Sequence, residues 1–371
     1  MRAVGKKSVA SLMMAALLIV SVCSAVKSAS AEEHPPGEGR DIKQTVIADG
    51  IYQFTTVRDS YVRYLNSVVV VNADDVLVFD TNTRPSSARI ILGEIRKITN
   101  KPVRYVVNSH WHPDHWSGNQ VYAEAFPGVE IIATEQVRQF MQNVSPGWPA
   151  RFKNELNKSQ VALEKEISSG KQDDGTALTP EQRRLDEEDV RDYKSFVDEQ
   201  LSLRRVFPTV GYVDHLTMFH GGREFRFMSV TGDAEGTTVL YLPKEKVLIT
   251  GDAVSYPIPY VTPPPMRQAK TLRALAQLDA DVIIPGHGPA FHDKSFINLE
   301  AELIESVVKG VHQALAKGPL TLDEVQKAVT VEELREKFTQ KDKDLDKRYR
   351  DRVKRLVTLA VREARDGQDL Q

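Results

Sequence analysis

Cysteine is nearly absent from this sequence. The chain has 371 residues and a single cysteine, Cys23, which lies close to the N-terminus. If the N-terminal segment is removed, no thiol is left in the chain. Disulfides, thiolate zinc ligands and cysteine nucleophiles are then excluded.

The sequence also has little that could cross a membrane. The apolar run "LMMAALLIV", residues 12–20, is well short of the roughly 20 apolar residues that a membrane-spanning helix needs. Basic residues precede it, and "SASA" follows it before Glu32, as in a secretory signal peptide. We therefore predict a signal peptide over residues 1–31, cleaved after Ala31, and a periplasmic or secreted protein without stable membrane insertion. An uncleaved N-terminal anchor is the alternative.

Net charge is small. The chain has 49 Lys and Arg against 51 Asp and Glu, a formal net charge of −2. The expected signal peptide has four basic residues and no acidic ones, so its removal takes the formal charge from −2 to −6. This acidic balance gives no reason to expect nucleic-acid binding. The composition, 41% hydrophobic and 27% charged, is ordinary for a soluble globular protein.

Strand patterns dominate the first part of the remaining chain. In "TVIADGIYQFTT" and "SVVVVNADDVLVFDTN" β-branched runs are separated by turn residues, with "NADD" predicted as the turn of a hairpin. Isoleucines at near-helical spacing predict a helix in residues 86–100. "VRYVVNS" then predicts a buried strand that ends in a polar loop.

Two regions are predicted to be helical. We place a core domain at 32–295, a helical insertion at about 145–206 and a helical C-terminal extension at 296–371. Within the insertion, Thr179 is predicted to cap a helix that Pro180 opens. The apolar stripe of this helix consists of Leu185, Val190, Tyr193, Phe196, Val197 and Leu201. A stripe of this kind usually packs on the core, and a substrate lid or a dimer arm is the alternative.

A cluster of metal-ligating residue types follows the buried strand. "NSHWHPDHWSGN", residues 108–119, places His110, His112, Asp114 and His115 within six positions. Histidines two positions apart on a tight loop can reach one ion, and Asp114 with His115 can reach a second. Four buried polar groups without a metal would be costly to remove from water.

Two adjacent ions need about seven ligands, so further ligands are expected downstream. Three residues have the right context, because each follows an apolar run and sits beside glycine, where a strand ends and the backbone turns. They are Asp233 in "TGDAEGTT", Asp252 in "LITGDAV" and His287 in "IIPGHGPAF".

These residues, taken in order, resemble the motifs of the metallo-β-lactamase superfamily over about residues 45–295. The histidine and aspartate cluster matches the family signature, Asp252 its bridging carboxylate and His287 its last histidine. The resemblance implies an αββα four-layer sandwich of two mixed sheets, here with a helical insertion and a helical C-terminal extension. It also implies that Asp80 in "VFDTN", which matches the family's early aspartate, lies beside the metal ligands and supports them.

The resemblance further implies how two ions would be held. One ion would bind His110, His112 and Asp233, the other would bind Asp114, His115 and His287, and Asp252 would bridge the two.

One position departs from the family. A histidine is usual after glycine in a "GHTPG"-like loop, whereas this chain reads "GDAEG" and has Asp233 there. A carboxylate can ligate zinc at about the same distance, and oxygen ligands shift preference toward manganese or iron. We expect two divalent ions, with Zn2+ favoured over Mn2+ or Fe. Asp233 is the expected ligand, and Glu235 or a site with only one tightly bound ion are the alternatives.

Such a site predicts a metal-dependent hydrolase of small molecules. Two ions lower the pKa of a bridging water, so that a metal-bound hydroxide can attack, with Asp114 as the catalytic residue that orients it. The bond would be an ester, lactone, thioester, β-lactam or related one, with phosphodiesters and sulfate esters open as well. Long nucleic-acid substrates are disfavoured by the acidic charge.

Residues near the ligands are expected to set the substrate. "SYPIPYVTPPP", residues 255–265, brings Tyr256 and Tyr260 near the metals, where they would bind substrate or simply pack. Trp111 and Trp116 flank the histidines, and core packing is the simpler interpretation of both.

Other functions stay open at this point. A non-catalytic metal- or ligand-binding protein on the same fold is the main alternative, supported by the departure at Asp233. A redox di-iron centre is disfavoured, since nothing in the chain resembles a flavin-binding partner domain. The insertion and the tail also offer surfaces for a homodimer.

Overall fold

The computed structural model describes residues 41–58, 63–172, 175–262 and 264–366. The expected signal peptide, residues 1–31, lies outside this part. In the described residues, no helix is both long enough and apolar enough to cross a membrane.

The described residues form two sheets, and the first has seven strands that are hydrogen-bonded to one another in chain order. The strands are β1 (Ile42–Ala48), β2 (Ile51–Arg58), β3 (Arg63–Val71), β4 (Val76–Phe79), β5 (Val103–Val107), β6 (Glu130–Thr134) and β7 (Val210–Tyr212). β1 to β4 pair antiparallel, and β4 to β7 pair parallel. The "NADD" hairpin is confirmed, because the Asn72 N–H donates to the Asp75 carbonyl at 2.8 Å between β3 and β4.

The second sheet has five strands in the order β12-β11-β10-β9-β8. They are β8 (His215–His220), β9 (Arg223–Thr231), β10 (Glu235–Leu242), β11 (Val247–Gly251) and β12 (Val282–Pro285). β11 and β12 are parallel, and the other neighbours are antiparallel. Both sheets are therefore mixed.

Helices cover the outer faces of both sheets. In the first two thirds of the chain they are α1 (Pro85–Ile98), α2 (Pro113–Trp116), α3 (Asn119–Ala125), α4 (Glu135–Val144), α5 (Trp148–Ser169) and α6 (Pro180–Leu201), with a 3-10 turn at Ser145–Gly147. In the last third they are α7 (Pro265–Leu275), α8 (Ser295–Leu315), α9 (Leu322–Ala328), α10 (Glu332–Thr339) and α11 (Lys343–Asp366).

Three apolar layers hold the sandwich together. Between the sheets, buried side chains from both sheets, among them Phe79 and Phe227, form one apolar cluster. Outside the first sheet, Ile91 and its neighbours on α1 pack on β4 and β5, and outside the second sheet α7, α8 and α11 form the largest cluster, which includes Ile304 and Val357. Each fully buried side chain of this size contributes about 1.5–3 kcal/mol. The αββα architecture with a C-terminal helical region is confirmed.

The predicted start of the insertion helix at Thr179 and Pro180 is confirmed. Thr179 caps α6, and its hydroxyl accepts from the Gln182 N–H in a complete capping box. Thr321 and Glu324 form the same arrangement at α9. The stripe of α6 is wrong at Leu201, which is 53% exposed because it lies at the last position of the helix.

The insertion packs partly on itself and partly on the core. Tyr193 and Phe196 of α6 form a small apolar cluster with Trp148 of α5. Beneath it lies Arg84, which is fully buried, forms ion pairs with Asp192 and Glu199 of α6, and has its guanidinium 5.1 Å from the Phe196 ring.

The same ion pairs reach the start of α1. Glu199 accepts hydrogen bonds from the N–H and the hydroxyl of Ser86, at 2.9 and 2.7 Å. Because α1 has no acidic residue in its own first turn, Glu199 supplies the negative charge that this helix end favours. We call Arg84, Ser86, Asp192 and Glu199 the Arg84 cluster. It fixes the insertion next to the loop that follows Asp80.

Candidate metal centre

The candidate ligands lie at strand ends on one edge of the sandwich. Asp80 follows β4, the histidine cluster follows β5, and Asp233 lies between β9 and β10. Asp252 and His287 follow the parallel strands β11 and β12. Carboxyl ends of neighbouring parallel strands meet at the same edge of a sheet, so loops from both sheets converge there.

The first group of donor atoms consists of His110, His112 and Asp233. The Nδ1 of His112 lies 2.8 Å from the Nε2 of His110 and 3.1 Å from Oδ2 of Asp233. The Nε2 of His110 lies 3.5 Å from Oδ1 of Asp233. One ligand atom from each residue thus falls within 4.8 Å of the other two.

The second group consists of Asp114, His115 and His287. The Oδ2 of Asp114 lies 3.3 Å from the Nε2 atoms of both histidines. Asp252 adds its Oδ2 at 3.5 Å from His115 and 3.6 Å from His287. Asp252 also forms a group with His110 and His115, so it lies between the two sets of ligands.

These donor atoms fit metal ions. Donors bound tetrahedrally to zinc stand roughly 3.3 Å apart, given metal–ligand distances of about 2.0–2.2 Å. Most of the contacts above are close to that separation. Three buried donor atoms, Nε2 of His115 and Oδ1 of Asp233 and Asp252, have no hydrogen-bond partner among the described residues. Buried polar atoms are rarely left in this state, so cations bound by the donor groups are the simplest explanation.

Asp80 orients the histidines from behind. Its Oδ2 accepts a hydrogen bond from Nδ1 of His115 at 2.7 Å and another from the hydroxyl of Ser109 at 2.7 Å. The Ser109 oxygen in turn lies 2.9 Å from Nδ1 of His110. Hydrogens on both Nδ1 atoms leave the Nε2 lone pairs directed into the site, which is the form that binds metal. This is the supporting position that the resemblance implies for Asp80.

One glycine is needed at the site for steric reasons. A Cβ on Gly286 would stand 1.9 Å from Oδ1 of Asp252. No side chain fits there, so the turn before His287 requires glycine.

The site carboxylates change the charge of the histidines. Burial lowers the pKa of His110 well below its ordinary value. At His287 burial also favours the neutral ring, but Asp252 and Asp114 outweigh it and raise the pKa of His287 to about 9. Histidine binds metal only without this proton, so a divalent ion entering the site would displace it.

Glu235, the alternative to Asp233, points elsewhere. Its carboxylate accepts a hydrogen bond from Gln136 and pairs with Arg267, both at 3.1 Å. It lines a groove of about 490 Å³ between β9 and α7 that contains none of the grouped donors. The geometry therefore favours Asp233.

The two predicted substrate-binding tyrosines have different surroundings. Tyr256 packs against Phe291 and Phe296, with ring centroids 5.6 and 5.3 Å away. Tyr260 has two guanidiniums over its ring, those of Arg352 and Arg355 of α11, at 4.3 and 4.7 Å from the centroid. Their roles as substrate-binding residues stay predictions.

The tryptophans also differ from each other. Trp116 is 2% exposed, and its indole N–H donates to the Trp111 carbonyl at 2.9 Å. Trp111 is half-buried beside His112, with ring centroids 4.5 Å apart. Phe140 and Trp148, both 5.8 Å away, extend it into an aromatic wall. The sequence did not indicate the last two, because they lie in a charged, helical region.

Comparison with known proteins gives a family and several relatives. The family model described as the metallo-beta-lactamase superfamily matches residues 61–287, more than half of the chain. The linear primary-alkylsulfatase of Pseudomonas sp. (strain ATCC 19151) is 26% identical over 273 residues, which are 71% of this chain and 48% of that protein. The chain thus spans about half the length of this curated relative.

Solved structures show the same fold. A metallo-beta-lactamase from Pontibacter korlensis superposes with a TM-score of 0.50 and 16% identity, covering 71% of this chain and 99% of the other. The stereoselective inverting sec-alkylsulfatase Pisa1 from Pseudomonas sp. gives a TM-score of 0.57 and 17% identity, covering 87% and 50%. At these identities the likeness concerns the fold alone.

Proposed function

This chain belongs to the metallo-β-lactamase superfamily, and we propose that it is a metal-dependent hydrolase that cleaves sulfate esters of small molecules. The superfamily and the alkylsulfatase relative together support a hydrolase in general and an ester-type bond. The observation that carries the proposal is the convergence of histidine and aspartate donors from loops of both sheets. A site of this kind fits metal-assisted hydrolysis.

The proposal assigns two divalent ions to the site, with Zn2+ first and Mn2+ or Fe as alternatives. When bound, such ions lower the pKa of a water molecule and polarise the oxygen of the bond to be cleaved. His110, His112 and Asp233 would hold one ion, Asp114, His115 and His287 would hold the other, and Asp252 would contact both.

Asp114 is the proposed proton acceptor. Burial raises its pKa, but His115 and His287 outweigh burial and hold the pKa of Asp114 well below its usual range. The carboxylate is therefore ionised at neutral pH. Because its Oδ2 lies in the middle of the second donor group, it can accept and orient a proton of the attacking water.

The aromatic wall of Trp111, Phe140 and Trp148 supports an apolar substituent on the ester. These rings stand next to His112, so an alkyl group that leaves the metal centre on this side would lie against them. Aromatic rings are the usual lining for apolar parts of small ligands.

Export is a further part of the proposal. Residues 1–31 have the composition of a signal peptide, which would place the enzyme and its small-molecule substrate in the periplasm or outside the cell. N-terminal sequencing of the protein from a periplasmic fraction tests this. A start at Glu32 is expected, and an intact Met1 would contradict it.

The experiment for the activity is a substrate panel with the protein from residue 32 onward. Octyl sulfate, octyl acetate, a lactone, a thioester, a β-lactam and a phosphodiester are compared, with zinc or manganese and with chelator. Octyl sulfate should give alcohol and inorganic sulfate in equal amounts, and chelator should abolish the reaction.

The panel distinguishes the competing functions. If the protein hydrolyses only another class of ester, the substrate class changes, but the protein is still a hydrolase. Metal-loaded protein without turnover on any probe would favour a non-catalytic binding protein. The matched control is His215→Ala, an exposed histidine on the edge strand β8, which should leave the activity as it is.

A further inference from the structure

The C-terminal helix α11 presents a row of arginines toward the loop that follows Asp252. Arg348, Arg352 and Arg355 lie at positions i, i+4 and i+7, which fall on one helix face. Arg352 is half-buried, whereas Arg348 and Arg355 are exposed. Arg352 and Arg355 lie over the ring of Tyr260, at 4.3 and 4.7 Å from its centroid.

None of these three arginines forms a hydrogen bond or an ion pair with a residue that the structure describes. The absence of ion pairs at these three arginines does not come from a lack of acidic residues near α11. Arg350 of the same helix pairs with Asp346 and Glu332, at 3.1 and 3.3 Å. Arg348, Arg352 and Arg355 differ from Arg350 in this respect, since no carboxylate of the described residues forms an ion pair with them.

Tyr260 connects this row to the metal centre. The hydroxyl of Thr262, two residues further on, donates to the carbonyl of Gly232 at 2.9 Å, and Gly232 immediately precedes Asp233. Gln268 holds the same segment, because its amide donates to the Tyr260 carbonyl at 3.1 Å and its Oε1 accepts from the Thr262 N–H at 3.3 Å. The ring beneath the guanidiniums is thus fixed beside the loop of a proposed metal ligand.

The pKa of Arg352 reflects both its burial and the charges around it. Burial lowers the pKa of Arg352, Arg355 adds to this effect, and Tyr260 and Asp233 act in the opposite sense. A guanidinium keeps its charge throughout the physiological range even after such a change. Arg352 is therefore a permanent, half-buried cation, and the negative charge of Asp233 favours its charged form.

Like charges held close together repel one another, and burying one of them, here Arg352, adds a cost unless an anion neutralises it. Stacking on Tyr260 offsets part of the cost and leaves the edges of the guanidinium available for hydrogen bonds. A tetrahedral oxyanion suits those edges, because guanidinium can donate two parallel hydrogen bonds to a pair of its oxygens.

We propose that Arg352, supported by Arg348, Arg355 and the Tyr260 ring, forms an oxyanion subsite that binds the sulfate group of the substrate. The inference rests on the proposed function for the identity of the anion, since phosphate has the same shape. It makes α11 a part of the substrate site and Arg352 a specificity-determining residue. Neutral esters would gain nothing from it.

The test compares Arg352→Gln with Lys354→Gln in metal-loaded protein. Both changes remove one positive charge from α11, but Lys354 is exposed and lies on the other side of the helix. Arg352→Gln should raise KM for octyl sulfate about tenfold to a hundredfold, with little effect on KM for octyl acetate. Lys354→Gln should leave both within about twofold.

Equilibrium binding of inorganic sulfate and of inorganic phosphate, measured by calorimetry at constant ionic strength, separates this inference from the proposed function. Weaker sulfate binding in Arg352→Gln supports the subsite even if octyl sulfate is not turned over. Unchanged sulfate binding and unchanged KM overturn it even if the enzyme is a sulfatase. If wild type binds phosphate more tightly than sulfate, and Arg352→Gln loses phosphate binding, sulfate is not the preferred anion of the subsite.

Two further variants guard against a purely structural effect of Arg352. Arg355→Gln changes an exposed residue, so it should fold normally and still weaken sulfate binding by about threefold, as expected for a more solvated contact. Arg352→Lys keeps the charge without the planar fork and should restore part of the affinity. If neither variant differs from wild type in sulfate binding, the subsite is wrong.

Discussion

The metal centre and the Arg84 cluster both hold charged side chains away from water, but the Arg84 cluster pairs an arginine with carboxylates, whereas the metal centre gathers histidines and carboxylates that could hold a metal ion. Arg84 has Asp192 and Glu199 as partners, and Glu199 also accepts two hydrogen bonds from Ser86. In the metal centre, by contrast, one buried donor atom of each of His115, Asp233 and Asp252 has no hydrogen-bond partner in the described residues.

This difference separates charged residues that stabilise the fold from charged residues that bind metal and take part in the reaction. A buried ion pair is complete when the protein folds, and its removal affects stability. A group of converging donors is incomplete until a cation arrives, so its removal should affect metal binding and catalysis. Each of the following predictions tests whether that division holds.

The largest effect is expected from His112→Ala. Loss of one ligand from the first donor group should lower metal content and reduce kcat/KM by about a thousandfold or more, since loss of a supporting residue alone costs about 10–100-fold. Metal analysis and steady-state kinetics measure it. Full activity with full metal content would remove His112 from the site.

Arg84→Ala should be the most destabilising change outside the metal centre. It leaves Asp192 and Glu199 without their buried partner, which should lower the free energy of unfolding by about 3 kcal/mol, the lower end of the range for buried pairs. Urea unfolding measures this. The lower end applies because Asp192 is 34% exposed.

The control for Arg84 is Arg183→Ala, which removes an exposed arginine of α6 paired with Glu187 at 3.9 Å. It should have a much smaller effect, since exposed pairs add little. Folded Arg84→Ala should still bind metal. If Arg84→Ala lost metal but kept its stability, the Arg84 cluster would not be a purely structural group of charges.

Asp80→Asn should affect both donor groups, because Asp80 contacts His115 directly and His110 through the Ser109 hydroxyl. The carboxylate accepts at both oxygens, from the N–H and hydroxyl of Ser109 and from His115, whereas an amide has only one accepting oxygen, so the histidines lose part of their orientation. Metal affinity or kcat/KM should fall about 10–100-fold. Competition with a fluorescent chelator gives the affinity, and an effect on stability alone would make Asp80 a purely structural residue.

The last prediction concerns Glu300, a buried carboxyl of α8 that pairs with no cation among the described residues. Burial raises its pKa well above the ordinary value, although it accepts a hydrogen bond from the Ser255 N–H at 3.0 Å. The folded protein then keeps a proton that the unfolded chain releases above a pH of about 4.5, so the free energy of unfolding falls as pH rises, by up to about 1.4 kcal/mol per pH unit.

Glu300→Gln removes this titration and should become increasingly more stable than wild type between pH 5 and pH 7. Urea unfolding at several pH values measures the difference. Glu302→Gln, an exposed position on the same helix, is the control and should follow wild type. Parallel profiles for Glu300→Gln and wild type would show that the carboxyl is ionised in the fold.

The sequence predicted the parts of the site that are local in the chain. His110, His112, Asp114 and His115 were recognisable because they lie within six positions, and Asp252 and His287 because glycine follows or precedes them at the ends of apolar runs. The strand and helix patterns were strong for the same reason, since hydrophobic period and turn residues are local signals.

Residues whose role depends on distant packing were not predictable. Arg352 lies 65 positions after His287 in a highly charged helix, where a solvated face is the natural interpretation, and only the packing of α11 on α7 and α8 brings it to Tyr260. Arg84 looked like an ordinary loop residue, because its partners lie in the insertion. Glu300 was hidden between apolar neighbours of one helix face.

The spread of the ligands along the chain also has a kinetic consequence. His110 and His287 are 177 positions apart and belong to loops of different sheets. Contacts across such a separation form late in folding, so an ion can be captured only once both sheets have met. Metal should therefore leave the folding rate unchanged and lower the unfolding rate. The metal-loaded protein would fold no faster than the metal-free protein, but it would stay folded for longer.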